Sequence, residues 1–190
     1  RTSSKTQSAL LEAMEEGQVT DDGVTRILPK PFTVIATQNP VGSAGTQMLP
    51  ESQLDRFMIK LSMGYPDPAS EVAILKDRQG ANPLNDVKQV VDGKDIITMQ
   101  EETDNLHMDD AIIEYITMLS FATRQNPLIE LGVSPRGSIA LAGMSKAKAY
   151  ISGRTYVTPE DVQSIFKDVA GHRIILNPRA KISSVTIDEV

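Results

Sequence analysis

Residues 32–37, FTVIAT, constrain this chain more than any other stretch, because they form an apolar run without polar alternation. A strand of that kind is covered on both faces, as strands of parallel sheets are, and it needs parallel neighbours on either side. The rest of the sequence supplies too few of them. QVTDDGVTRILP reads as two short strand pieces around Asp22-Gly23, a strong hairpin signal, and residues 58–63 alternate weakly as one more strand. One helix, one hairpin and these strands do not close an α/β domain, so the missing layers are expected upstream. The chain starts at Arg1, and RTSSKTQ already reads as the start of a helix, so the expectation is a piece of a longer protein.

Local signals order the remainder. Ser4 and Gln7 have the spacing of a capping box ahead of SALLEAMEE, and Gly17 is a natural helix stop. Pro50 suits the first turn of a short helix in PESQLDRF. In YPDP, Asp67 caps and Pro68 starts a helix that Gly80 ends. Residues 81–107 read as mixed and loop-prone. Helices are expected at about 109–124, 135–152 and 159–170, two of them announced by Ser134-Pro135 and Thr158-Pro159. The fold class is therefore α/β followed by all-α, with residues 1–64 as the α/β part and 65–190 as a helical unit.

Composition narrows the functions available. With 190 residues the chain can bury roughly 70% of its extended surface and so form a core. A net charge of -6 argues against a general nucleic-acid binder. There is no cysteine, which excludes disulfides and thiolate metal sites, and His107 and His172 are too far apart in sequence to suggest a metal site. No apolar run reaches the ~18 residues of a membrane span, so the expected compartment is the cytoplasm. No G-x-x-x-x-G-K-[ST] phosphate loop, G-x-S-x-G elbow or H-E-x-x-H motif is present, so the sequence holds no complete active site.

Three polar residues nevertheless stand where a phosphate-handling site would want them. Asn39 ends the apolar strand, and ligands of open α/β sheets bind beyond the carboxyl ends of strands; the competing reading is an Asx-type turn before Pro40. Arg56, in LPESQLDRF, can project to a neighbouring molecule and neutralise phosphate charge, or can pair locally with Asp55 or Glu51. Arg136 sits in the first turn of a helix, where a cation is disfavoured unless an anion is bound nearby, or unless it pairs with a carboxylate such as Glu130. Glu12, Glu15 and Glu16 read as a solvated helix face. Met108, Met118 and Met144 read as core filler. His107 is expected to flank a helix start, and His172 with Arg173 to complete a helix end.

Taken together, KTQSALLEAMEEGQVT, FTVIATQNP, GTQMLPESQLDRF, YPDP, SPRGSIAL and GRTYVTPEDV resemble, in order and over nearly the whole chain, the MoxR branch of AAA+ ATPases. The resemblance implies the C-terminal portion of a P-loop NTPase core plus a helical lid, with Arg1 at the end of the Walker B segment and the Walker A region upstream. It implies that Asn39 is sensor 1, that Arg56 is an arginine finger acting in trans, and that Arg136 is sensor 2. The Asp22-Gly23 turn is similar to the extra hairpin before sensor 1. For the parent protein it implies ATP and Mg²⁺ as cofactors, a ring (hexameric in the family), and chaperone-like remodelling of partners such as von Willebrand factor A domain proteins. The fragment alone is expected to bind neither cofactor tightly, and no metal ligands are assigned in it. Two other classes are weighed: a non-catalytic interaction module, and a DNA-associated AAA+ protein. Asp21 and Asp22 in the hairpin argue against the second.

Overall fold

A computed structural model of the chain describes residues 4–38, 49–79 and 82–190. Its first element, α1 (Ser4–Glu16), buries Ala13 and ends at Gly17, whose φ of +63° suits glycine. Strands β1 (Gln18–Asp21) and β2 (Val24–Ile27) pair antiparallel, with Asp21 opposite Val24. Asp22 (φ 48°) and Gly23 (φ 76°) both lie in the left-handed region that a tight two-residue hairpin turn needs. Leu28 N–H donates to Gly17 O at 2.8 Å and closes the hairpin at its base.

The two further strands expected from the sequence are not found. Residues 32–37 and 58–63 belong to no ladder among the described residues, and Ile35 is 88% exposed and Met63 99% exposed. The physical reason is pairing: a strand exists through its neighbours, and the described residues offer these runs none. Residues 58–60 instead turn to the helical unit. Ile59 packs against its core, and Lys60 N–H donates to Asp168 O at 2.9 Å.

After α2 (Glu51–Leu54), α3 (Pro68–Asp77) begins where the YPDP motif predicts, with the Asp67 carboxylate accepting from Ser70 N–H at 2.7 Å. Residues 82–107 hold more regular structure than expected. They contain a short 3₁₀ turn (Pro83–Asp86) and then α4 (Gly93–Asp104), started by a reciprocal box in which Asp92 caps Asp95 N–H and Asp95 caps Asp92 N–H. The segment hides its helix because Gly93 opens it and its second half is largely polar, whereas the Asp-x-x-Asp spacing does mark the start.

The helical unit continues with α5 (Asp110–Gln125), β3 (Ile129–Leu131), α6 (Pro135–Ile151), α7 (Pro159–Ala170), β4 (Ile175–Leu176) and α8 (Pro178–Ile182). Strands β3 and β4 pair antiparallel and tie the chain beyond α7 to the α5–α6 link. The core gathers Ile112 and Ile116 of α5, Leu141 and Ala149 of α6, and Val162, Ile165 and Val169 of α7. Met108 and Met144 pack against it as expected, but Met118 is 63% exposed. It lies two positions from the buried Ile116, which at 3.6 residues per turn turns it to the far side of α5. His107 contributes backbone: its N–H donates to Thr155 O at 3.3 Å and its carbonyl accepts from Val157 N–H at 3.2 Å, joining the α4–α5 link to the α6–α7 link.

The start of α7 carries a buried charge. Asp161, 3% exposed, accepts Arg154 Nη1 at 2.7 Å and Arg154 Nη2 on its other oxygen, and also accepts Thr158 N–H at 2.8 Å. The Arg154 guanidinium holds this carboxyl below its ordinary value of 3.8, against the opposing effect of burial. The folded chain therefore binds this proton less readily than the unfolded chain. The stabilisation is complete above pH 3.8 and is lost as pH falls through the lower folded value. Asp161→Asn is expected to lower the melting temperature at pH 7 by several degrees. It should also flatten the fall of melting temperature below about pH 4, measured by thermal unfolding across a pH series.

Candidate functional site

Arg173 is the best-connected side chain between the two parts of the chain. It follows α7, its side chain is 2% exposed, and it reaches back across the residues after α2. Nε donates to Asp55 Oδ1 at 2.8 Å, Nη2 to Asp55 O at 3.0 Å and to Phe57 O at 2.7 Å, and Nη1 to Met58 O at 3.2 Å and to Val169 O. Burial pulls the guanidinium below its usual pKa, which its bond to Asp55 opposes and the nearby Arg136 reinforces. A guanidinium nevertheless stays charged in proteins. Beside it, His172 Nε2 lies 3.0 Å from Phe57 O, and burial lowers the imidazole pKa.

The Asp55 carboxylate also accepts Ser134 Oγ, at 3.0 and 3.2 Å from its two oxygens. Ser134 is the N-cap of α6, and the same oxygen accepts Gly137 N–H at 3.2 Å. This clasp brings the first turn of α6 against the turn that follows α2. The approach is close: a Cβ on Gly137 would lie 2.5 Å from Val133 Cγ1 and 2.8 Å from Arg173 Cδ.

The clasp fixes where two other arginines go. Arg56 follows Asp55 but takes a different partner, and Arg136 is the second residue of α6. Both meet Glu15, in the last turn of α1: Arg56 Nη1 donates to Oε2 and Arg136 Nη2 to Oε1. Neither takes the local partner that the sequence suggested; Asp55 is occupied by Arg173 and Ser134, and Arg136 bonds Glu15 rather than Glu130. The three side chains and Met14 line an open cavity of about 200 Å³. Arg56 Nε is itself buried and has no hydrogen-bond partner among the described residues. One carboxylate facing two guanidiniums leaves net positive charge and an unused donor, a set that fits an oxyanion. No group of three or more His, Cys, Asp or Glu side chains converges as a metal site among the described residues.

Of the residues singled out from sequence, the structure brings Arg56 and Arg136 together. Asn39 and Arg1 lie outside the described residues. Glu15, Asp55, Ser134 and Arg173 were read from sequence only as a solvated face, a local partner for Arg56, a helix cap and part of a helix end. Ser134 is legible as a cap, but its bond to Asp55 spans 79 positions and that of Arg173 to Asp55 spans 118, and no local pattern encodes such a pairing.

Comparison with known proteins gives a consistent picture. Residues 1–59 match the model of the ATPase family associated with various cellular activities (AAA), and residues 121–190 match the AAA lid domain. An uncharacterized protein, YeaC of Bacillus subtilis, is 48% identical over 190 residues, covering 100% of this chain and 59% of YeaC. Chaperone MoxR1 of Mycobacterium tuberculosis is 38% identical over 185 residues, covering 93% of this chain and 48% of that protein. The crystal structure of a proposed ATPase from Cytophaga hutchinsonii superposes with a TM-score of 0.90 at 36% identity, covering 100% of this chain and 60% of that one. The chain thus spans about half to three-fifths of the length of the relatives it matches.

Removing one partner of a buried ion pair leaves the other charge uncompensated. Asp55→Ala should therefore cost about 3 kcal/mol, or roughly 6–12 °C in melting temperature for a chain of this size. Gly137→Ala should destabilise the same joint, because the new methyl meets Val133 and Arg173 inside contact distance. Thermal unfolding of both variants checks this.

Proposed function

The chain belongs to the MoxR-like AAA+ ATPases, and from that premise we propose that it carries the phosphate-sensing part of an ATP-hydrolysing ring. One observation supports the reading: Arg56 from the turn after α2 and Arg136 from the helical unit both donate to the Glu15 carboxylate, which places two guanidiniums side by side. In this reading residues 1–64 are the C-terminal part of the AAA+ core and residues 65–190 the lid. Arg136 acts as sensor 2 and ties the angle of the helical unit to the nucleotide. Arg56 acts as an arginine finger on the nucleotide of the adjacent subunit. Asn39, assigned by resemblance, orients the attacking water.

The nucleotide and Mg²⁺ supply the phosphoryl chemistry in the full-length protein, with Walker residues as their main ligands. This chain's own contribution is charge and position. Arg56 and Arg136 each offer guanidinium charge that offsets negative charge on phosphate oxygens, and the Arg173–Asp55 joint positions the segments that carry them. The full-length protein is proposed to form a cytoplasmic ring, hexameric as in the family, that remodels partner proteins in a chaperone-like way, von Willebrand factor A domain proteins among them. A second reading treats the 190-residue chain by itself as an interaction module without catalysis. Assaying that chain for ATP hydrolysis separates the two properties, and no turnover is expected from it.

The decisive variant is Arg56→Ala in the full-length protein. ATP binding should be retained while kcat falls by about 10³ or more, the usual contribution of an arginine finger. Wild-type turnover in that variant would remove Arg56 from the mechanism.

A further inference from the structure

We propose that Glu15 is an internal stand-in for phosphate: it latches Arg56 and Arg136 until an oxyanion displaces it. The inference rests on reading these two arginines as phosphate-binding, and it adds a residue that reading does not contain.

Glu15 belongs to α1, whereas its two partners come from the turn after α2 and from the first turn of α6. Its oxygens are divided between them, Oε2 for Arg56 and Oε1 for Arg136, much as a phosphate presents separate oxygens to separate donors. The match is incomplete in two ways. A single carboxylate leaves one positive charge uncompensated, and Arg56 Nε stays buried without a partner among the described residues. A phosphate carries more charge and more acceptor oxygens, so it satisfies what Glu15 leaves over. The open cavity that the three side chains line, about 200 Å³, leaves space for such a group.

Glu15 is also able to leave. Its side chain is 39% exposed, those of Arg56 and Arg136 are 29% and 42% exposed, and ion pairs at such positions hold weakly. This separates the latch from the Arg173–Asp55 pair, whose arginine side chain is 2% exposed and which serves as a joint. A finger that must reach a neighbouring molecule is thus held back by its own chain, and release is coupled to the arrival of the phosphate it recognises.

The test uses Glu15→Gln, which keeps the side chain's shape and removes its charge, in the full-length protein. Pyrophosphate binding is followed by calorimetry, and the component that disappears in an Arg56→Ala, Arg136→Ala double variant is the one assigned to this site. That component should tighten about tenfold in Glu15→Gln, equivalent to about 1.4 kcal/mol. Glu15→Asp, one methylene shorter and unable to span both arginines, should tighten it as well and serves if Glu15→Gln folds poorly.

Unchanged or weaker pyrophosphate binding in a variant that melts at the wild-type temperature would overturn the latch. The protein-concentration dependence of turnover identifies the source of the phosphate. If it belongs to nucleotide on a neighbouring copy, Glu15→Gln reaches half-maximal turnover at lower protein concentration than wild type. If free oxyanion is the ligand, only pyrophosphate binding shifts. Failure of the underlying reading looks different, because Arg56→Ala would then turn over normally whatever Glu15 does.

Discussion

Arg173 is the group on which the rest of this architecture depends. A guanidinium taken almost completely out of water is costly unless every donor is used, and here the hydrogen bonds run to the Asp55 carboxylate and to four backbone carbonyls. Four of those five acceptors lie in residues 55–58, beyond α2, and the fifth is in α7. The arrangement therefore works only when the two parts of the chain are docked in one relative position. Ser134 adds a second fastening to the same carboxylate, and the absence of a side chain on Gly137 lets α6 come close enough to use it.

The proximity of the exposed arginines follows from this buried one. Asp55 and Arg56 are consecutive, and so are Pro135 and Arg136 after the cap Ser134. Once Asp55 and Ser134 are bonded, their neighbours are carried to the same side of the molecule, where Glu15 of α1 meets them. The structure thus has two charged layers. The inner one centres on the buried Arg173 guanidinium and sets geometry. The outer one, Arg56 and Arg136 with Glu15, is partly exposed on every side chain.

Much of the helical unit was readable from local chemistry, because proline after a capping hydroxyl marks the starts of α6 and α7 and apolar periodicity marks the buried face of α7. The hairpin was readable from Asp22-Gly23 for a similar reason. The α/β part was less so. FTVIAT has the composition of a buried strand, but composition reports what a segment tolerates, and a ladder needs neighbours that the described residues do not provide. Glu15 shows the opposite failure. Its neighbours Glu12 and Glu16 make it look like one of several solvated acids, and only the folding of residues 121 positions away singles it out. Helix α4 was hidden because Gly93 opens it and its second half is largely polar, while two aspartates mark its start.

The joint reads main chain more than side chain. Apart from Asp55, Arg173 grips carbonyl oxygens, which every amino acid presents, so the identities of Phe57 and Met58 are free to drift without altering the fastening. Such a contact ties the path of one segment to another. It cannot slide by a residue without losing several bonds at once, since each carbonyl is spaced for one arm of a rigid planar fork. The segment after α2 and the end of α7 are therefore fastened to each other through one side chain.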